Sequence, residues 1–189
     1  MRVYKFGGSS IGSASKIRNV AGIIRDGLSQ SPLVVVVSAV WKVTDMLADA
    51  ATLAGRGEIA YLEKLDEITS LHDSIVRELF HEDPAEAQAW LTGMMMELHD
   101  AVHGIYQLRE LSDRNLAQVL SFGERLSSWI VSRYLQCSGT PSLCIDAREL
   151  IVTDDNYCYA KVETQATGKL IRERLHSFDA VPVVTGFIA

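Results

Sequence analysis

The sequence predicts an α/β protein with a mainly parallel sheet and an inserted helical hairpin, and three observations support this prediction. β-Branched runs at Arg2 to Phe6 and at Leu33 to Ser38 flank apolar residues at helical spacing, which is the pattern of a βαβ unit. Four consecutive valines, Val34 to Val37, are apolar on both faces, as expected for a central parallel strand covered by helices. A long region of helical periodicity then separates these strands from the later ones.

Two helices flank the second strand. The first begins near Ser13, and its apolar positions are Ile17, Val20, Ala21, Ile24 and Leu28. The next opens at Val43 to Asp45, where we predict Thr44 as the N-cap because a threonine hydroxyl can accept a hydrogen bond from a free amide of the first turn. Gly55 and Gly57 end this helix.

The inserted hairpin covers about residues 58–110. His81 to Pro84 divides it into two helices, and Pro84 suits a first helical turn. Its three consecutive methionines, Met94 to Met96, are compatible with an interaction surface. We interpret them instead as core filling, because methionine adapts to irregular gaps.

Later elements complete the predicted fold. A helix over Asn115 to Leu135 carries Gly123 in its middle, and since glycine there costs about 1 kcal/mol relative to alanine, a close contact is expected. The remaining predicted elements are a strand at Ser142 to Asp146, a turn-rich segment with a short edge pairing at Ile151 to Val162, a helix at Thr164 to Leu175 and a strand at Val181 to Thr185.

The composition is that of a soluble globular chain without a large basic surface. Of 189 residues, 48% are hydrophobic and 22% charged, and the net charge is −6. This balance excludes a broad nucleic-acid or anionic-membrane surface, and no apolar run approaches the roughly 20 residues of a membrane span. Because Met1 leads straight into a strand without a secretory signal, we expect a cytoplasmic protein with neither nucleic acid nor membrane as a partner.

The three cysteines, Cys137, Cys144 and Cys158, are odd in number and lack C-x-x-C spacing. Neither a disulfide framework nor a thiolate zinc site is indicated, so we expect reduced structural thiols. His99 and His103 have the i, i+4 spacing of a helical zinc pair. Without a glutamate between them or an evident third ligand, they do not predict a metal site.

The stretch Lys5 to Ser10 places a cation, glycine amides and hydroxyls directly behind the first strand. These groups can hold a polyphosphate, and glycine lets the backbone approach a phosphate closely and adopt positive φ. The spacing matches neither the P-loop nor G-x-G-x-x-G. An ordinary strand-to-helix turn with an exposed lysine fits the composition equally well. We expect the residues from Ser38 to Thr44 to form another part of the same site, because ligands of parallel sheets bind at the carboxyl ends of the strands.

Four motifs, in order along the chain, resemble those of aspartate kinases in the amino acid kinase superfamily. Lys5 to Ser10 resembles their N-terminal motif, and Val34 to Asp45 resembles their strand and loop carrying a serine and a threonine. Ser121 to Ser128 resembles the segment with a substrate-binding glutamate, and Val181 to Ala189 resembles the strand that ends in Gly-Phe-Ile-Gly. The resemblance implies the N-terminal portion of the amino acid kinase fold, a three-layer sandwich.

The resemblance also implies a domain assignment. Residues 1–189 would form the amino-acid-binding part of the kinase domain, and the nucleotide-binding half and regulatory domains would follow. The last strand lacks the helix that ordinarily covers such a strand, so we expect these residues to be the first part of something longer. Uncovered apolar surface would favour a homo-oligomer. The insertion and the segment Ala39 to Asp45 resemble enterobacterial-type enzymes, including those fused to homoserine dehydrogenase.

The reaction implied by the resemblance is transfer of the γ-phosphate of ATP, with Mg²⁺, to the side-chain carboxylate of aspartate. This is the first step of lysine, threonine and methionine biosynthesis. Lys5 would stabilise the transferring phosphate, with Gly7, Gly8 and Ser9 as further nucleotide contacts. Glu124 would bind the substrate ammonium group and Thr44 its α-carboxylate, and Ser38 would line the acceptor or phosphate side. No residue of this chain is expected to bind a metal directly.

Some features depart from the family pattern or leave alternatives open. Trp41 stands where small residues are common, and Ser9 replaces a threonine. Asp146 and Arg148 face the same edge without an assigned role.

We expect this chain alone to bind aspartate weakly and to turn over little ATP. The alternatives are a non-catalytic aspartate-binding or assembly module, or a kinase for glutamate or a related acidic amino acid.

Overall fold

A computed structural model describes residues 1–157, 159–175 and 179–188. Its four strands are β1 Arg2–Phe6, β2 Leu33–Val37, β3 Ser142–Ile145 and β4 Val181–Thr185. Its six α-helices are α1 Ala14–Leu28, α2 Val43–Gly55, α3 Tyr61–Leu79, α4 Ala85–Leu108, α5 Asp113–Cys137 and α6 Thr164–Leu175.

The four strands form one parallel sheet in the order β1-β2-β4-β3. Successive valines of β2 point to opposite faces, as the period of a strand requires. Val35 and Val37 join the large core, whereas Val34 joins a smaller core on the other face. The valine run is therefore a central strand that is apolar on both sides, as predicted.

Helices cover the two faces of the sheet to different extents. The large core combines one face with α1 to α5, and the smaller core combines the other face with Ile171 and Leu175 of α6. Coverage of this second face is incomplete, because Val3 on β1 and Leu143 on β3 are 62% and 45% exposed. The arrangement is the predicted α/β three-layer sandwich.

The predicted hairpin is present as α3 and α4, but it is not a separate unit. Both helices pack against α2, and α4 also packs against α5. Trp90 on α4 stacks on Trp129 of α5 with ring centroids 3.9 Å apart. Met94 is buried in the core as predicted, while Met96 is 63% exposed.

The start of α2 differs from the sequence prediction, because Thr44 is not its N-cap. That position belongs to Lys42, which has the left-handed φ of 68° and no capping side chain. The loop turns sharply through a hydrogen bond from the Val43 amide to the Val40 carbonyl, so the helix begins before Thr44. Thr44 thus lies in the first turn, where backbone amides have no partner within the helix.

The segment between β3 and α6 is irregular, with an isolated antiparallel bridge between Thr153 and Val162 that matches the predicted edge pairing. Cys137 is exposed and Cys144 is half-buried, and both are free thiols. The expectation for Cys158 lies outside the described residues. In the described ranges, no helix is both long and apolar enough to cross a bilayer.

Gly123 confirms the close contact predicted from its place in the middle of a helix. A Cβ atom there would lie 2.7 Å from the Ala39 Cβ atom and 3.4 Å from Leu47 Cδ1. Separations below about 3 Å do not occur between real side chains, so an added methyl group would push α5 away from the end of β2.

We predict opposite effects from two glycine-to-alanine substitutions in long helices. Gly93→Ala should raise the free energy of unfolding, because a Cβ at Gly93 of α4 meets no atom within 4 Å and alanine favours a helix by about 1 kcal/mol. Gly123→Ala should be less stable than Gly93→Ala by about 1–3 kcal/mol, the usual cost of overpacking a core. Urea unfolding of both variants measures the difference, and equal stabilities would contradict the packing described.

Candidate functional site

The loops after the strands meet at the carboxyl edge of the sheet. The Ser38 amide donates to the Phe6 carbonyl over 3.1 Å, which joins the end of β1 to the loop after β2. The Gly186 amide donates to the Val37 carbonyl over 2.8 Å, which brings in the loop after β4. This is the edge where ligands of open parallel sheets bind.

The glycine loop after β1 is shaped by contact with the loop after β2. A Cβ on Gly8 would lie 2.5 Å from the Ala39 carbonyl oxygen and 3.2 Å from the Trp41 nitrogen, so no other residue fits. Gly7 has φ of −78°, and neither it nor Gly8 adopts the positive φ considered from the sequence. Gly8 is therefore required for close approach, and open space surrounds the Cβ position of Gly7.

Glu124 lies at the centre of the site, in the middle of α5. Only 3% of the residue is exposed, and its Oε1 accepts a hydrogen bond of 3.1 Å from the Ala39 amide. Its Oε2 is buried and has no partner in the described structure. Burial raises the pKa of Glu124 to about 7, although hydrogen bonds from the Ala39 and Glu124 amides oppose the shift.

A buried carboxylate with one unused oxygen is unfavourable unless a cation or a donor completes its interactions. Near neutral pH, Glu124 is divided between the protonated and the charged form. A cation placed at Oε2 would lower its pKa and hold it charged. The arrangement is therefore suited to binding a small ligand with an ammonium group.

The other residues predicted for the site lie around the same edge. Ser38 directly follows β2, and Thr44 lies in the first turn of α2. Lys5 pairs with Val36 in the register of β1 and β2, one residue before the end of its strand. In the part of the chain that the structure describes, no hydrogen bond or ion pair occupies the side chains of Lys5, Ser9, Ser38 or Thr44. Their polar groups remain available to a ligand.

Ser127 is a residue of the site that the sequence did not predict. Its hydroxyl donates a hydrogen bond of 2.7 Å to the Ser38 carbonyl oxygen, and the residue is 2% exposed. Ser127 lies three residues after Glu124, so both share one face of α5. This spacing was the available signal, but only the structure shows that the face meets the end of β2.

Asp146 and Arg148 interact with each other instead of with the site. Both carboxylate oxygens of Asp146 accept from the Arg148 guanidinium, and Oδ1 also accepts from the Arg148 amide. The pair caps the turn after β3, and although burial opposes it, the guanidinium lowers the pKa of Asp146. Their local role is structural.

The histidines of α4 also make local contacts. His103 Nδ1 lies 2.9 Å from the Tyr61 hydroxyl oxygen, and its Nε2 lies 3.0 Å from Gln107 Nε2. The His99 and His103 rings stack with centroids 5.8 Å apart. Within the described residues, no group of three or more histidine, cysteine, aspartate or glutamate side chains is arranged to hold a metal ion.

Comparison with known proteins places the chain in a family. Residues 1–189 match the model of the amino acid kinase family. The chain is 34% identical to "Aspartokinase 1, chloroplastic" of Arabidopsis thaliana, over 98% of this chain and 33% of the relative. It is also 34% identical to the aspartokinase of Chlamydia pneumoniae, over 82% of this chain and 32% of the relative. The chain thus spans about a third of the length of these relatives.

Solved structures show the same fold. The structure of Escherichia coli aspartokinase III in complex with aspartate and ADP superposes with a TM-score of 0.87 at 22% identity, covering 99% of this chain and 40% of that one. Aspartate kinase of Clostridium acetobutylicum gives a TM-score of 0.74 at 24% identity, covering 99% and 39%. These likenesses concern the fold, and the match to the family model extends over the whole sequence. The chain therefore belongs to the amino acid kinase family, and within it resembles aspartokinases.

Proposed function

We propose that this chain forms the amino-acid-binding part of an aspartate kinase, which transfers the γ-phosphate of ATP to the side-chain carboxylate of aspartate. The observation that carries the proposal is the buried, unpartnered Oε2 of Glu124 at the carboxyl edge of the sheet. The similarity to proteins named aspartokinases supports it, as does the aspartate and ADP in the structure of the E. coli protein.

The proposed orientation of aspartate follows from the charges at the site. Its ammonium group binds Glu124 Oε2, where it supplies the missing partner of a buried carboxylate. Its α-carboxylate binds Thr44 and the first turn of α2, because free amides and the helix dipole favour an anion there. The side-chain carboxylate then lies towards Ser38 and the glycine loop after β1, where the phosphate is expected.

The phosphoryl transfer needs positioning and charge stabilisation more than proton transfer. The attacking carboxylate is already anionic, so an oxygen–phosphorus bond forms while the bond between the β,γ-bridging oxygen and the γ-phosphorus breaks, and ADP leaves. Lys5 stabilises the charge of the moving phosphoryl group. The amides of Gly7 and Gly8 and the Ser9 hydroxyl bind the phosphates from the other side.

Mg²⁺ would supply further charge neutralisation on the phosphates. Among the described residues, no group of three or more histidine, cysteine, aspartate or glutamate side chains is arranged to hold a metal ion. In this proposal Mg²⁺ would be held by the phosphates of the nucleotide.

We predict that the chain prefers L-aspartate to succinate, which has the same two carboxylates but no ammonium group. Glu124→Gln should remove this preference and weaken aspartate binding by at least about tenfold, because a charged hydrogen bond is lost. Glu67→Gln is the control, since Glu67 is exposed and pairs with Lys64 within α3, away from Glu124. Titration calorimetry measures the affinities for aspartate, glutamate and succinate, and it also shows which acidic amino acid the site prefers.

The affinity for aspartate should also depend on pH, and the ionisation of Glu124 fixes the direction of this dependence. Glu124 has a pKa of about 7 and must be charged to pair with the ammonium group. Aspartate affinity should therefore fall about tenfold on lowering the pH from 8 to 6 in the unsubstituted chain, and stay nearly constant in Glu124→Gln. An unsubstituted chain that binds succinate as tightly as aspartate at pH 8 would contradict the proposed role of Glu124.

Another prediction concerns the part of the site that would bind the phosphates of ATP. Lys5→Ala should weaken binding of inorganic tripolyphosphate by about tenfold, because a charged contact to the phosphate is removed. Lys64→Ala should have little effect, since Lys64 pairs with Glu67 on α3. Calorimetry with tripolyphosphate tests both variants, and equal affinities in the two would contradict the proposed phosphate-binding role of Lys5.

Trapping of acyl phosphate with hydroxylamine separates a kinase from a binding module. We expect little hydroxamate from this chain alone, because it spans about a third of its relatives. Rapid, Lys5-dependent hydroxamate formation would instead show that these residues suffice for catalysis.

A further inference from the structure

We propose that Ser127 is a positioning residue that, together with Glu124, fixes the orientation of the peptide group between Ser38 and Ala39 and thereby leaves Glu124 Oε2 free for the ligand. The proposal rests on the proposed function for the identity of the ligand. The observations that support it are the contacts between α5 and the residues directly after β2.

One peptide group is held at both ends by α5. The Ser38 carbonyl oxygen accepts from the Ser127 hydroxyl at 2.7 Å, and the Ala39 amide donates to Glu124 Oε1 at 3.1 Å. These two groups belong to the same planar peptide and point in opposite directions. Rotation of that peptide would break both hydrogen bonds, so each bond supports the other.

The carbonyl of Ser38 needs this partner because the parallel ladder ends beside it. The last bonds of the ladder are from the Ser38 amide to the Phe6 carbonyl and from the Gly186 amide to the Val37 carbonyl. Backbone carbonyls away from bulk water usually find a donor, and the Ser127 hydroxyl supplies one for the half-buried Ser38. Ser127 Oγ also lies 3.1 Å from the Glu124 carbonyl oxygen, but its single proton favours the shorter contact with Ser38.

The fixed peptide determines which carboxylate oxygen of Glu124 is used within the protein. While the Ala39 amide points at Oε1, Oε2 has no partner in the described structure. Loss of the Ser127 hydroxyl would let the peptide rotate, and the Ala39 amide would then no longer be held against Oε1.

The test compares two buried serines of α5. Ser127→Ala removes the bond to Ser38, whereas Ser132→Ala removes the hydrogen bond between the Ser132 and Ser142 hydroxyls at the start of β3, far along the helix from Glu124. Ser127→Cys serves as a second variant because its slightly larger thiol leaves no cavity but is a weak donor. Carboxyl ¹³C NMR follows the titration of Glu124 in the free chain, and calorimetry follows aspartate affinity.

In Ser127→Ala and Ser127→Cys we expect the pKa of Glu124 to rise above that of the unsubstituted chain, because the Ala39 amide that lowers it is no longer held in place. Aspartate affinity should fall about three- to tenfold in both, the range for loss of one hydrogen bond. Ser132→Ala should change neither quantity.

Two outcomes separate the positioning role from the proposed function. If Ser127→Ala and Ser127→Cys leave both the Glu124 titration and aspartate affinity unchanged, Ser127 is not a positioning residue. If the titration changes as expected but the unsubstituted chain itself binds no aspartate, the positioning of Glu124 stands and the proposed function is contradicted.

Discussion

The close approach of α5 to the end of β2 is the contact on which the site depends. Gly123 allows it, since a Cβ at that position would lie 2.7 Å from the Ala39 Cβ. The next residue, Glu124, can then reach the Ala39 amide from inside the core. Further along α5, Ser132 contacts Ser142 and ties the helix to the start of β3. The helix is thus held both at the site and away from it, so its position along the sheet is well defined.

This contact places a carboxylate where water cannot solvate it fully. Burial raises the pKa of Glu124 to about 7, which means that the free protein tolerates an unfavourable group. Folding would be favoured by an apolar residue at that position, so the cost is understandable only if a ligand supplies the missing interactions. In the proposed function, an ammonium group would satisfy Oε2 and keep Glu124 charged. The free chain would then lose stability, and the site would select an amino acid over a simple dicarboxylate.

The sequence predicted the strands and helices well because their apolar periods of two and 3.6 residues are local properties. Gly123 was also predictable, since a glycine within a helix needs a packing reason. The start of α2 was not, because Lys42 adopts a left-handed conformation in a loop that packs closely against Gly8 and Gly123, and no local pattern reveals those contacts. Ser127 was missed for a related reason: its partner, the Ser38 carbonyl, is a backbone group in the loop after β2, which is distant in sequence.

In the proposed function, the free oxygen of Glu124 receives the ammonium group of aspartate, and a crystal structure of this chain with L-aspartate tests this most directly. We predict the ligand nitrogen at about 2.7–2.9 Å from Glu124 Oε2, with Oε1 still bonded to the Ala39 amide and the side-chain carboxylate towards the glycine loop after β1. Aspartate bound elsewhere, or bound with a carboxylate against Glu124, would contradict it.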